Sequence, residues 1–204
     1  WDTLTRMTNV LDKWDRLGEV YAAALDQISV DDEDTAELSI TTARIFDQRS
    51  EDPKRAAGYF ARALRFDPTR ADLFTALESV YQRTAQWQPL MELYRERVDL
   101  VDTDAERVNV LHRAATVTET KLNDAAGATK LYREILEVSS EDVGAIQALD
   151  RLLGAANQFD ELADHLRYRV DAARGTPEEA ELRHRLGVLQ ATQLNDIRSA
   201  IDTF

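Results

Sequence analysis

Apolar residues recur three and four positions apart along most of this chain, with polar residues between them. That spacing places the apolar side chains on one stripe of an α-helix. The sequence has only 7 Gly and 4 Pro, so the helices have few internal breakers and short connections. The pattern predicts an all-α protein with helices at about 1–11, 14–28, 34–49, 53–67, 69–84, 87–98, 103–121, 124–138, 140–155, 159–170, 177–194 and 196–204.

The same residue types return after 72 residues. Ala56–Pro68 aligns with Ala128–Ser140, and the alignment places Tyr132 under Phe60. The repeated unit is a pair of helical hairpins, one of which has a long first helix. This repetition predicts a single helical-repeat array over 1–204 with about five to six hairpins. Both ends of the array are expected to be truncated. The expected double units are approximately 1–30, 31–102, 103–174 and 175–204.

Large and small apolar residues occupy matching positions in successive units. Residues that recur at the period of a repeat are most simply core fillers, since each unit packs on its neighbours. Phe204 falls in the same aromatic position as Phe60 and Tyr132, so we expect it to be a core residue too. The predicted repeat core is Ala56, Phe60, Ala63, Leu77, Tyr81, Trp87, Tyr94, Ala128, Tyr132, Phe159 and Ala200.

The order small, aromatic, small, proline at Ala56, Phe60, Ala63 and Pro68 resembles the second half of a tetratricopeptide repeat. The residues in the first-half positions of the next unit are Phe74, Leu77 and Tyr81. The resemblance implies a right-handed α–α superhelix, or solenoid, of antiparallel helix pairs. The long helices at 34–49 and 103–121 depart from that family, so the half-a-TPR family and an unnamed array of helical hairpins remain alternatives.

The formal net charge is −13, and there is no Cys. An acidic chain is a poor ligand for nucleic acid or an anionic membrane, because both are bound by clustered Lys and Arg. No apolar run approaches the roughly 20 residues that span a bilayer. We recognise no signal peptide and expect a cytoplasmic location, although the chain begins at Trp1 and a removed leader stays open.

The residues that usually carry chemistry do not form a recognisable catalytic motif. His112 and His184 lie one double unit apart, which is typical of a structural repeat position, and His165 has no partner motif. There is no Gly-rich phosphate loop, zinc spacing or partnered Ser–His–acid set. The acidic turn at 31–34 is most simply a helix start, with a divalent-metal site as the alternative. We therefore expect no enzyme activity and no cofactor.

In the family that this chain resembles, the first helix of each hairpin lines a concave face that holds a partner segment. The exposed first-helix positions here are neutral or basic. Our hypothesis is that this face binds an acidic protein segment through Arg–carboxylate pairs. The alternative is that each Arg pairs with an acid one helical turn away. The candidate residues are Gln82, Arg83, Arg113, Lys121, Gln147, Arg151 and Arg185, with Thr75, Ser79 and Gln193 beside them.

A scaffold or adaptor that binds a partner protein is thus the predicted function. The first alternative is a sensory or regulatory module of a larger kinase or transcription-factor chain. A helical-repeat RNA binder is the other, and the negative charge disfavours it. The sequence leaves the oligomeric state open.

Overall fold

The computed structural model describes residues 13–28 and 32–204, and the helix predicted at 1–11 lies outside them. The described part contains eleven helices and no strand, as the all-α prediction requires. Their bounds are α1 Trp14–Gln27, α2 Glu33–Gln48, α3 Pro53–Phe66, α4 Ala71–Arg83, α5 Trp87–Leu100, α6 Asp104–Thr120, α7 Ala125–Val138, α8 Val143–Ala155, α9 Phe159–Ala172, α10 Pro177–Thr192 and α11 Ile197–Thr203.

Aspartates fix the starts of several helices by accepting a hydrogen bond from the backbone N–H three residues later, which would otherwise have no helical partner. Asp52 accepts from Arg55 at 3.2 Å, Asp124 from Gly127 at 2.8 Å, and Asp196 from Ser199 at 3.0 Å. These three caps are 72 residues apart and start α3, α7 and α11. The repeat seen in the sequence is therefore also a repeat of local structure.

The turns between helices repeat with the same period. Glu51, Asn123 and Asn195 have positive φ values of 51°, 52° and 54°, and Ala85 and Asn157 have 54° and 55°. A left-handed residue ends a helix by turning the chain sharply, and Asn tolerates that conformation better than most residues with a Cβ. These two kinds of turn thus keep the same left-handed residue in successive units, whether or not its residue type favours that conformation.

The start of α10 is different in detail. Thr176 stands at the N-cap of α10, but its hydroxyl donates to the Ala173 carbonyl at 2.7 Å and caps no helical N–H. Glu179 instead accepts from the Gly175 N–H at 2.6 Å. The side chain of the third helical residue therefore reaches back over the helix start, as in half of a capping box.

The described chain divides into two compact units, with the boundary between Asp102 and Thr103. In the first unit α1 to α5 pack in order, each helix against the next, and in the second unit α6 to α11 do the same. We call α2, α4, α6, α8 and α10 the first helices of their hairpins, and α1, α3, α5, α7, α9 and α11 the second helices.

Most of the repeated apolar positions lie in the cores of the two units. Ala56, Ala63 and Ala128 are fully buried, because a methyl group is all that fits where two helices approach closely. Phe60, Leu77, Tyr94, Tyr132 and Ala200 are also buried, whereas Tyr81, Trp87 and Phe159 are half-buried. Phe204 differs from the core position predicted for it: it is 66% exposed, and one side of its ring faces His184.

Candidate functional site

The candidate binding residues of the first helices lie mainly on exposed surface. Arg113 is the exception, since it is half-buried and removal from water lowers the pKa of its guanidinium. Gln82 is also tied to its surroundings, because its side-chain amide donates to Glu78 and to the Tyr94 hydroxyl, each at 3.4 Å. The exposed members of the set are Gln82, Arg83, Lys121, Gln147, Arg151 and Arg185.

Three of these arginines form ion pairs with acids on the first helix of the preceding hairpin. Arg83 of α4 pairs with Asp47 of α2. Arg151 of α8 pairs with Glu119 of α6 at 2.7 Å, and this hydrogen-bonded pair lowers the pKa of Glu119. Arg185 of α10 pairs with Asp150 of α8 at 2.8 Å.

The partners in these pairs are 32 to 36 residues apart in the chain. The sequence-based alternative placed the acid one helical turn from each Arg, and these three pairs instead join neighbouring hairpins. Asp47 and Glu119 occupy equivalent positions one repeat apart. Adjacent first helices are about half a repeat, or 36 residues, apart in sequence. An acid about 36 residues before an Arg was therefore the sequence signal that could have predicted these ion pairs. Most of this face's positive charge is therefore compensated within the chain.

Carboxylates also lie at a second pair of equivalent positions, Glu78 and Asp150, which face the second helix of their own hairpins. Glu78 is buried and accepts a hydrogen bond from the Tyr94 hydroxyl at 2.5 Å. Asp150 receives Arg169 at 3.0 Å as well as Arg185. Buried carboxylates need such partners because loss of water is costly for a charge. Both groups therefore hold helices together and are not presented to a ligand.

A groove of about 590 Å³ opens on the other side of the first unit, between the second helices α3 and α5. Its floor is formed by α4, through Phe74, Leu77 and Tyr81. We call it the α3/α5 groove. The residues that complete its walls are Ala61, Leu64, Arg65, Pro68, Pro89, Glu92, Leu93, Glu96, Arg97, Asp99 and Leu100.

A second groove, of about 710 Å³, lies between α7 and α9 in the other unit, and we call it the α7/α9 groove. Each of its lining residues stands 72 positions after a lining residue of the α3/α5 groove. Its lining residues are Arg133, Leu136, Glu137, Ser140, Leu149, Leu153, Glu161, Asp164, His165 and Tyr168. The two grooves are thus the same feature of the repeat, lined by different residues.

The two grooves differ most where an ion pair crosses only one of them. Arg133 of α7 and Glu161 of α9 pair across the α7/α9 groove. The equivalent residues of the α3/α5 groove are Ala61 and Pro89, which carry no charge and are both half-buried. The α7/α9 groove is therefore bridged by a salt bridge. We call the α3/α5 groove open because no ion pair of the described chain crosses it.

Acidic side chains form one rim of the α3/α5 groove. Glu92, Glu96 and Asp99 are exposed on α5 at helical spacing, and within the part of the chain that the structure describes none of them forms an ion pair. Burial, together with the negative charges of Glu92 and Glu96, raises the pKa of the Tyr81 hydroxyl on the floor. Removal from water is the main cause of this raised pKa, and the two carboxylates add to it.

Arg97 does not neutralise this rim. Its guanidinium lies 5.4 Å from the centroid of the Phe74 ring and donates to the Thr69 carbonyl at 3.2 Å. It therefore closes one end of the floor and holds the turn between α3 and α4. Arg65 is the one base on the opposite rim, among the residues that line the groove.

The three histidines lie apart and have separate surroundings. His112 faces Asp142, with 2.9 Å between Nε2 and Oδ1, and the ring of His184 faces Phe204. His165 is inside the α7/α9 groove, where burial lowers its pKa. Among residues 13–28 and 32–204, no set of three His, Asp or Glu side chains is placed to hold a metal ion, and no helix is long and apolar enough to cross a bilayer.

Sequence reasoning missed the α3/α5 groove because it assigned Leu77 and Tyr81, which lie on its floor, to the core. The internal alignment contained the signal: Ala61 and Pro89 are uncharged where their equivalents, Arg133 and Glu161, carry opposite charges. That difference indicates a change in the groove only when the two positions are known to face each other.

No protein-family model and no curated protein match this sequence. Solved structures of similar fold include YrrB, a TPR protein with an unusual peptide-binding site, at 17% identity and a TM-score of 0.43 over 91% of this chain and 89% of that one. MamA aligns at 11% identity and a TM-score of 0.44, over 97% of this chain and 92% of that one. A tetratricopeptide-repeat protein from Parabacteroides merdae aligns at 15% identity and a TM-score of 0.45, over 98% of this chain and 75% of that one.

These likenesses concern the fold, and all three TM-scores are below 0.5. The described helices, caps and left-handed turns recur every 72 residues within this chain itself. This protein is therefore a helical-repeat protein of packed helix pairs.

Proposed function

We propose that this chain is a non-enzymatic protein-interaction module that binds a segment of a partner protein in the α3/α5 groove. The observation that carries the proposal is the apolar floor of this groove, which no ion pair of the described chain spans, beside an equivalent groove in the second unit that the Arg133–Glu161 pair does span. A volume of about 590 Å³ lies within the usual range of ligand pockets, and Phe74, Leu77 and Tyr81 supply the aromatic and aliphatic surface that anchors a side chain.

The repeat itself explains why one groove can change its role without loss of the fold. The helices that form both grooves share buried residues such as Leu77 and Leu149, whereas Ala61 and Pro89 lie at the edge. Edge residues carry little of the packing energy, so their replacement leaves the core intact. Repeat proteins thus offer several copies of one surface, each able to acquire a different ligand.

A display library of random peptides, selected on the immobilised chain, tests this function without assuming a ligand. The matched variant carries Ala61→Arg with Pro89→Glu, which transfers the α7/α9 ion pair to the open groove. We expect the selected peptides to bind the parent chain and to lose binding to this variant. Failure to select any peptide would refute the interaction module, and equal binding to both chains would refute the groove as its site.

The first-helix face is a second candidate surface, for an acidic segment. Arg83, Arg151 and Arg185 are exposed there, but such a segment must compete with Asp47, Glu119 and Asp150 for them. Arg83→Glu, Arg113→Glu and Arg151→Glu test this candidate against any bound partner. Reduced affinity supports the face, and unchanged affinity removes it.

A regulatory module of a larger kinase or transcription-factor chain would bind its partner through the same surfaces. It would differ only in being attached to another domain. RNA binding would require a basic surface, and the net charge of −13 disfavours it. Nucleic acid and membrane are therefore outside the proposal, as is any cofactor.

A further inference from the structure

We infer that the ligand of the α3/α5 groove is a basic amphipathic helix of a partner protein, an inference that rests on the proposed function. The groove has two chemical parts: an apolar floor, and an acidic rim on one side. A ligand that satisfies both presents apolar side chains to the floor and Lys or Arg side chains to the rim.

The floor selects apolar side chains. Leu77 and Leu93 are buried beneath the groove, and Tyr81 and Pro89 are half-buried along it. Leu100 lies at one end and is 42% exposed, so a ligand there would cover apolar surface that faces water. Covering such surface removes apolar area from water, which is the main source of binding free energy in grooves of this kind.

The rim selects positive charge. Glu92, Glu96 and Asp99 follow one face of α5 at intervals of four and three residues. They span about 10 Å along the helix axis, since each residue advances about 1.5 Å. Because no cation of the described chain pairs with them, a ligand cation gains their attraction without displacing an existing partner.

The spacing of the acids favours a helical ligand. A helix that lies along α5 places bases at positions i, i+4 and i+7 opposite the three carboxylates, and apolar residues on its adjoining face point to the floor. An extended segment would pass the same 10 Å in about three residues and could not present three bases on one side. A second copy of this chain is a poorer occupant, because its own net charge is −13.

The bridged groove in the other unit is the natural comparison. There the positions of Glu92 and Glu96 are taken by Asp164 and Tyr168, and the Arg133–Glu161 pair crosses the space. Asp164 is in addition paired with Arg167. The position of Asp99 is taken by Asp171, which pairs with Arg174. Among the described residues, the second unit therefore has two paired acids where the first has three unpaired ones, and an ion pair crosses its groove.

The experiment uses two fluorescent peptides of about 20 residues, long enough to form a helix in the groove. Both peptides carry Leu at helical spacing along one face. On the adjoining face, one peptide has Lys and Arg, and the other has Glu. Fluorescence anisotropy with the whole chain should show saturable binding of the basic peptide only. The affinity should fall as salt is raised, because exposed charges are screened.

Charge-reversal variants locate the contact. Glu92→Lys with Glu96→Lys changes two exposed residues, so the fold is retained, and we expect roughly tenfold weaker binding of the basic peptide. The matched control, Asp164→Lys with Tyr168→Lys on α9, should leave the affinity unchanged. Circular dichroism melting curves verify that each variant is folded.

The outcomes separate this inference from the proposed function. Equal binding of the two peptides, or equal loss in the rim variant and its control, overturns the basic-helix ligand. If peptides selected from the display library still need the open groove but carry no basic residues, only the inference fails. If the library yields no peptide and the basic peptide does not bind, both fail.

Discussion

The α3/α5 and α7/α9 grooves are built from equivalent positions of one repeat, yet only one of them is open. Both have a floor of buried apolar residues from a first helix and walls from two second helices. In the α7/α9 groove Arg133 and Glu161 join the walls, and His165 replaces the leucine found at 93. Two edge residues thus decide whether an ion pair crosses the groove, above floors that contain buried leucines in both units.

This comparison separates what the repeat must keep from what it is free to vary. Ala56 and Ala128 are both fully buried at equivalent helix contacts, and both units start a second helix with the same Asp cap. The edge positions, in contrast, are exposed or half-buried and differ in charge between units. Conserved geometry with variable edges is what allows a repeat array to present distinct binding surfaces.

The largest expected effect is on the shared framework. Ala128→Arg forces a long charged side chain into a contact with no exposed surface, so we expect the free energy of unfolding to fall by about 4 kcal/mol. Ala56→Arg should cost a similar amount in the first unit. Thermal and urea unfolding followed by circular dichroism measure both. Ala126→Arg, on the exposed side of the same helix, is the control and should change stability little.

If Ala128→Arg unfolds at the same denaturant concentration as the parent, Ala128 does not lie in a helix contact, and the two units do not share the framework described above.

A smaller effect is expected at the left-handed turns. Ala85 and Asn157 occupy equivalent positions with φ of 54° and 55°, a conformation that is less unfavourable for Asn than for Ala. Ala85→Asn should therefore stabilise the chain by about 0.5 kcal/mol, and Asn157→Ala should destabilise it by a similar amount. Both side chains are exposed, so packing changes little. Urea unfolding should give shifts of opposite sign; shifts of the same sign would contradict equivalent turns.

The smallest effect is a change in pH dependence that distinguishes the two grooves. Burial lowers the pKa of His165; Asp150 acts in the opposite direction, and Arg169 adds to the lowering. As pH falls below the ordinary value of about 6.5, the unfolded chain binds a proton at His165 more readily than the folded chain does. The stability that neutral His165 contributes is thus present above pH 6.5 and is lost as pH falls through its lowered folded-state pKa.

His165→Leu, which introduces the residue found at position 93, should remove this part of the pH dependence. Urea unfolding at pH 7.5 and pH 5.5 should show a smaller loss of stability in the variant than in the parent. Identical losses in the two chains would mean that His165 binds its proton equally well in the folded and unfolded states.

The helices, their order and the 72-residue period could be predicted from the amino-acid sequence. Those features depend on local rules: apolar spacing sets the buried stripe, Asp and Pro start helices, and repeated residue types produce repeated geometry. The caps at Asp52, Asp124 and Asp196 could be located in the sequence for this reason, and they are found in the structure. The core positions followed from the same periodicity. Tyr81 is only half-buried because it faces the α3/α5 groove, and Trp87 and Phe159, the first residues of α5 and α9, are also half-buried.

Which side chains face one another depends on how the helices pack. Arg83 meets Asp47 and Arg151 meets Glu119 because adjacent first helices lie side by side, and the helical register that aligns them depends on packing across hairpins. The grooves arise in the same way, since Ala61 and Pro89 become the sides of an opening only when α3 and α5 are placed over α4. Local pattern fixes the elements, whereas contacts between residues far apart in the chain fix the surfaces, because each depends on how several helices pack at once.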